Sequence, residues 1–542
     1  NNSSTFKTTL GGILTSAYQP SPNHRFTFRA LIDRNTRDEV DEAVGTTNTA
    51  PDLTTSTAGL RYVDEQLEFG QLASEHRFGF LEVNLRSAFA RTTQNVPDGR
   101  ITTYAAAPGE APSFQSTGNG GLRYYSCLDE NLTDSAVDFT IPFKTALPFT
   151  DAWSGLPAKF TFGPAHSYRD RDFHLRRLLN TPGSPLDLTE SPEELLNPDN
   201  IGHGLQFQET TEARDSFSAT QEIIAGYGMF DLPIIANRLR FIAGVREEYS
   251  FIRLRTVNDE SSPVSPTKRN LDPLPGASII YTPRSDMNVR FGFGQTVSRP
   301  DFRELTPTLY PSLRFDRAQT GNPNLVEASI RSYDLRWEWF FAPGELASLG
   351  GFYKTLDKPI EQTVIVGASD LRDSFANAEN GELEGFEFEV RKNFGFIRPR
   401  LTYLSLQTNV AYIESSVTAP KGSNFEQQTN TQRPLQGQSP FVVNAVLDYT
   451  RPDWGSVRLL YNTAGRRLAT VGTFGLPDIY EERRDQLDFV AIAPLKRFGL
   501  PLTAKLSIEN ILNDSIEFTQ GDAVQNRFVT GTKFTIGLSY VY

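Results

Sequence analysis

Met287-Asn288-Val289-Arg290-Phe291-Gly292-Phe293-Gly294, resumed by Tyr333-Asp334-Leu335-Arg336-Trp337-Glu338-Trp339-Phe340-Phe341, is the stretch that decides the class of this chain. Val289, Phe291 and Phe293 share one parity, and Arg290, Gly292 and Gly294 the other. Past a polar loop, Tyr333, Leu335, Trp337, Trp339 and Phe341 alternate against Asp334, Arg336 and Glu338. Period-two alternation of this length means strands with one apolar face and one polar face. The apolar face carries large aromatics and the polar face full charges. A soluble sandwich and a membrane barrel can both show this pattern, so the rest of the chain has to choose between them.

The chain has 542 residues, long for one soluble domain, yet no Pro/Ser/Gly tract or charge block divides it. One very large β domain is the simpler reading. Cys127 is the single cysteine, which excludes an intrachain disulfide and a cysteine-rich metal site and reads as a small strand residue. A net charge of −12 disfavours nucleic acid, which needs a basic face. No run of 18 apolar residues exists, so no membrane helix is expected. Barrel strands cross a bilayer with low mean hydropathy, here −0.38, because they alternate. The opening Asn1-Asn2-Ser3-Ser4 is no signal peptide.

About nineteen strand-like segments follow one another, and their connections alternate in length. Short turns are expected at residues 19–23, 73–76, 151–157, 231–238, 283–286, 342–345, 395–398, 451–455 and 495–500. Long polar loops are expected at 37–55, 94–121, 180–205, 258–268, 300–324, 367–379, 418–438, 472–480 and 514–527. Short turns at one rim and long loops at the other are the asymmetry of an up-and-down outer-membrane barrel. The strand faces agree: Phe241, Ala243 and Val245 oppose Arg240, Gly244 and Arg246, and Phe386, Phe388 and Val390 oppose Glu387, Glu389 and Arg391. In a barrel the first set meets lipid and the second lines a wet lumen, every backbone group pairing with a neighbouring strand. The fold class read here is therefore all-β, a transmembrane antiparallel up-and-down β-barrel filling residues 1–542 as one domain.

The last strand places Phe534, Ile536, Leu538, Tyr540 and Tyr542 on one face, with Gly537 between them. It resembles the C-terminal signal of outer-membrane barrels, although a terminal Phe or Trp is commoner there. Arg299-Pro300-Asp301-Phe302-Arg303-Glu304-Leu305 and Gly321-Asn322-Pro323-Asn324-Leu325, with the strands around them, resemble the mid-barrel signature of TonB-dependent outer-membrane receptors. Leu383-Glu384-Gly385-Phe386-Glu387 and Ser507-Ile508-Glu509-Asn510-Ile511-Leu512-Asn513-Asp514 resemble later strands of the same family. The pattern is closest to the large receptors with an extra immunoglobulin-like (carboxypeptidase-regulatory-like) domain before the plug. The resemblance implies a Gram-negative outer-membrane transporter that imports a scarce nutrient: siderophore, glycan, peptide or cobalamin. It also implies its partners: membrane lipid, the outer-membrane assembly machinery, and the TonB complex acting through a plug and a TonB box. Family barrels have about 22 strands. Neither plug nor box is legible here, and the first strand is expected to run inward, so about three strands and a plug are expected ahead of Asn1. A barrel of the same ancestry with a structural or export role is the alternative.

No catalytic constellation is found: no phosphate loop, no HExxH, no Ser/His/Asp set on recognisable turns. The pair Glu247-Glu248 reads as lumen or loop charge. The run Asp38-Glu39-Val40-Asp41-Glu42 could offer oxygen ligands to calcium, but reads better as a solvated acidic loop. No cofactor is called for. Binding sites favour aromatic and basic residues on loops held by a rigid scaffold. The candidates for ligand contact are Tyr104, Tyr310, Arg314, Phe315, Arg317, Phe474 and Tyr480.

Overall fold

In a computed structural model the described residues are 2–47, 50–116, 120–145, 155–183, 186–257, 262–310, 318–366, 371–419 and 428–540. Their main sheet has 23 strands. Four are short flanking segments, Ser113–Phe114, Leu205–Glu209, Pro263–Val264 and Gln432–Arg433, and the other nineteen form one antiparallel meander. In chain order these are β1 (Asn2–Ser21), β2 (His24–Thr47), β3 (Ala50–Arg77), β4 (Glu82–Ala106), β5 (Gly121–Lys144), β6 (Pro157–Pro182) and β7 (Phe217–Ile235). Next come β8 (Leu239–Val257), β9 (Thr267–Arg284), β10 (Met287–Ser298), β11 (Ala328–Ala342), β12 (Glu345–Asp357) and β13 (Asn380–Asn393). The last are β14 (Leu404–Thr418), β15 (Phe441–Arg451), β16 (Gly455–Ala464), β17 (Arg484–Pro494), β18 (Leu502–Glu509) and β19 (Lys533–Tyr540). Each pairs with its chain neighbours. Among the described residues, β1 pairs only with β2 and β19 only with β18.

The register confirms the two faces. Val289 pairs with Trp337, Phe291 with Leu335 and Phe293 with Tyr333, all on the outward side. Trp337 and Leu335 remain substantially exposed on the protein's outer surface, as groups that face lipid do. On the inner side, Arg290 reaches Glu338 at 2.8 Å and Arg336 reaches Glu389 at 2.8 Å. Arg336 crosses β12 to do so, over Gly350, whose register partner it is. These pairs stand in a wet lumen, where each is worth about 0–1 kcal/mol. They keep the wall polar more than they hold it together. Cys127 lies in β5 as a strand residue.

Several connections differ from the sequence reading. The described residues of the expected 37–55 loop, 37–47 and 50–55, are strand: β2 and β3 stay hydrogen-bonded up to Thr47 and Ala50. Cross-strand ion pairs Arg34–Asp64 (2.6 Å), Arg37–Glu65 (2.9 Å) and Arg61–Glu39 let a largely polar ribbon continue as sheet. The acidic run at 38–42 therefore alternates between two faces. Among the described residues no cluster of three or more His, Cys, Asp or Glu could hold a metal ion. Likewise β4 continues to Ala106, through half of the expected 94–121 loop. The turn after β3 lies at residues 78–81 and not at 73–76, because Gly79 there supplies the left-handed φ of 78° that the reversal needs. The 367–379 and 514–527 connections contain strands of their own, Leu371–Asn377 and the hairpin Ile516–Gln520/Ala523–Phe528.

Candidate functional site

The described parts of the connection between β10 and β11, residues 299–310 and 318–327, fold inward and pack against the inner wall. Asp301 caps the turn Phe302–Leu305, accepting from Arg303 N at 3.1 Å, while Glu304 accepts from Asp301 N at 2.8 Å. The turn's carbonyls are covered from behind: Gly321 N donates to Thr306 O (2.8 Å) and Asn322 N to Glu304 O (2.6 Å). A Cβ on Gly321 would lie 2.4–2.6 Å from three backbone oxygens, so this close approach needs glycine. Asn322 also donates to Phe375 O and accepts from Asn324 N, tying the segment to the neighbouring hairpin. Phe302, Leu305 and Leu325 are fully buried, in a cluster with Ile252, Leu254, Phe173, Leu175 and Tyr124 from β5, β6 and β8. Pro300 is buried at the entry and Pro323 partly so at the return. The family-like motif is thus a folding unit that docks a loop on the barrel's inside.

Charge fixes the same segment. Arg299 donates to Glu248 at 2.8 Å and to Asp272 at 2.6 Å, and its Nε lies 3.4 Å from Glu327. Burial and the neighbouring Asp272 push the Glu327 carboxyl up to about 7. Asp301 holds Arg169 and Arg171 at 3.3–3.4 Å, and the Arg169 guanidinium lies 4.2 Å from the Phe302 ring centroid. Of the sequence pair Glu247-Glu248, Glu248 is on the inner face, clasping Arg299 and Arg246.

Beside this segment opens a cavity of about 770 Å³. Ser298, Ala328, Ile330 and Leu356, at the upper ends of β10–β12, form one wall. Ile360, Glu361 and Gln362 of the hairpin Ile360–Val366/Leu371–Asn377 form another, and residues 435–438, 467–469 and Glu481 complete it. The frame is rigid: Arg433 pairs with Glu361, both almost fully buried, and Gly437 N donates to Leu468 O at 2.8 Å. Towards the cavity stand the half-exposed ion pair Arg467–Glu481 (2.8 Å) and Gln362, whose side-chain amide has no hydrogen bond among the described residues. Each charge of the lining is paired, Glu481 with Arg467 in the lining and Glu361 with Arg433 behind it, and the walls between are leucine, isoleucine and proline. It suits an amphipathic ligand of molecular size better than a bare ion.

The sequence candidates do not converge on this vestibule. Tyr104 ends β4 in a separate apolar cluster with Phe114, Leu195 and Leu205, and donates its hydroxyl to Glu190 O at 2.8 Å. Burial pushes that hydroxyl up to about 12. Tyr310 packs against Phe173 under Arg303, whose guanidinium is 4.5 Å from its ring centroid. Tyr480, stacked with Arg466 at 4.2 Å, sits one residue from the cavity-lining Glu481. Phe474 is exposed in the turn after Gly472. Arg314, Phe315 and Arg317 lie outside the described residues, as does Tyr542; Gly537 and Tyr540 lie in β19. Sequence reasoning missed Glu361, Gln362, Gln436, Arg433, Arg467 and Glu481. They come from separate segments, and no local pattern marks them.

Residues 2–486 match the family described as TonB dependent receptor-like, beta-barrel. No curated protein matches the chain. Among solved structures it is similar to the closed form of the ferric-catecholate import receptor Fiu from K12 E. coli, with TM-score 0.59 and 11% identity over 99% of this chain and 80% of that one. It is similar also to the siderophore receptor PiuA from Acinetobacter baumannii (TM-score 0.56, 10% identity, 96% and 76% covered). A third is the ferric yersiniabactin uptake receptor FyuA from Yersinia pestis (TM-score 0.55, 12% identity, 99% and 77% covered). At such identities these likenesses speak for the fold. The chain belongs to the TonB-dependent receptors, β-barrels of the Gram-negative outer membrane whose work is transport and not catalysis.

Proposed function

We propose that this barrel imports a scarce nutrient too large for a porin, captured first in the vestibule above the docked 299–325 segment. The observation that carries this is the cavity itself. It is of ligand size, is framed by a buried ion pair, and has an unused amide and a half-exposed ion pair turned into it. Below it the lumen wall is lined by paired charges, a polar path of the kind a hydrated solute can follow. Energy would come from the TonB complex through a plug. Siderophore, glycan, peptide and cobalamin all fit this class of cargo.

The test fills the cavity. Ser298→Trp, on an exposed position at its rim, should cut TonB-dependent uptake by the full receptor about tenfold or more while heat-shifted gel migration shows an intact barrel. Uptake unchanged by Ser298→Trp and by Gln362→Trp would remove the vestibule from the pathway.

A further inference from the structure

We propose that the short-turn rim below β13–β18 binds anionic phospholipid headgroups of the inner leaflet. Three successive short turns build it: residues 394–403, 451–455 and 495–501. They carry Arg398, Arg400, Arg451, Lys496 and Arg497 against one carboxylate, Asp453. Among the described residues none of these five side chains is in an ion pair or donates to a carboxylate. The nearest other acids are taken: Glu345 by Lys392, and Asp448, on the lumen side, by Arg458. Other cations near short turns do face carboxylates, Arg77 with Glu82, Arg240 with Asp231 and Arg284 with Asp286. In a chain of net charge −12 this local excess is not average composition.

The rings around these cations argue for lipid. The Arg497 guanidinium is 5.0 Å from the Trp454 ring centroid and 4.8 Å from that of Phe498. The Arg451 guanidinium is 5.8 Å from both Tyr403 and Trp454. Trp454, Phe498 and Phe396 stay 58–68% exposed. Exposed aromatics of this kind belong at a membrane interface, apolar body inward and polar edge out. A guanidinium held against a ring leaves its terminal N–H donors unpaired, and their fork matches phosphate oxygens, although the Nε of Arg451 is itself buried. Short turns face the periplasm in barrels of this type, which places the patch at the inner-leaflet headgroups. Each cation near an anionic lipid surface adds roughly fivefold to the attraction.

The experiment uses the full receptor in nanodiscs of phosphatidylethanolamine with phosphatidylglycerol, the co-purifying lipid being read by native mass spectrometry. The wild type should retain phosphatidylglycerol over phosphatidylethanolamine. R398Q/R400Q/K496Q/R497Q should lower that preference at least about tenfold, and Arg176→Gln, on the loop side, should leave it unchanged. If the fourfold variant does not fold, R398Q/R400Q and K496Q/R497Q are read separately, each with a partial loss. No preference in the wild type, or an equal preference in all variants, overturns the proposal. So does an acidic periplasmic protein that needs these cations while lipid shows no preference.

Discussion

Replacing Phe302 by Ala should undock the inward-folded segment without unfolding the barrel. The ring is fully buried, and it meets the Arg169 guanidinium at 4.2 Å. Truncating a buried Phe costs about 3–5 kcal/mol, and losing the cation–π contact adds roughly 0.5–2 kcal/mol. The loss falls on a local equilibrium, because the strand ladder of β8–β11 does not pass through Phe302. At about 1.4 kcal/mol per decade, even the lower figure raises the open fraction roughly a hundredfold. Hydrogen exchange should show it as lost protection at the amides of Thr306, Gly321 and Asn322, which donate within the segment. Protection in β10 and β11 should stay. Phe291→Ala, on the lipid face, is the control and should leave the loop amides alone. Unchanged protection at those three amides in the Phe302 variant would refute the docking role, and so would an equal loss in the Phe291 variant.

Four further outcomes follow from the same geometry. Trp337→Arg should cost about 2–4 kcal/mol of folding free energy in lipid if it lies near the midplane, and Glu338→Ser, on the lumen side of the same strand, much less; equal costs would contradict the assigned faces. Glu327 has its carboxyl raised to about 7, so its contribution is fully present below the ordinary carboxylate range and is lost as pH rises through 7. Exchange protection of the 299–325 segment, corrected for intrinsic rate, should fall between pH 6 and 8, and Glu327→Gln should abolish that fall. Glu361→Ala leaves Arg433 buried without its partner, for a local cost of about 3–5 kcal/mol, readable as lost protection at residues 428–438. A cysteine at Glu110, an exposed loop-side position, should label with an impermeant thiol reagent on intact cells, whereas one at Asp453 should not; the reverse result would invert the topology.

The wall was legible because its signal is local. A residue's face follows from its parity, and the parity of Phe291, Trp337 and Phe386 in the sequence is the parity the register shows. Loop boundaries were less legible for a related reason. Residues 37–55 are polar enough to read as loop, yet the ribbon they extend carries charges complementary across the pair, Arg34 to Asp64, Arg37 to Glu65 and Glu39 to Arg61. Polarity in a window reports exposure; whether a ribbon stays paired depends on what lies opposite, which no single window contains.

The same reasoning explains why the motif was visible and its work was not. Arg299, Phe302, Gly321 and Leu325 stand out in the sequence as a recurring signature, and a loop-borne signature invites a ligand-binding role. In the structure each is consumed inside the protein: Arg299 by Glu248 and Asp272, Phe302 and Leu325 by the inner cluster, Gly321 by the carbonyls of the turn it covers. A residue whose polar atoms and apolar surface are all engaged has nothing left for a ligand. By that criterion binding falls to side chains still unspent, Gln362 and the half-exposed Arg467–Glu481 pair. The docked segment then acts on the ligand only indirectly, by fixing the strand ends on either side of it, where Ser298 of β10 and Ala328 of β11 stand in the cavity wall.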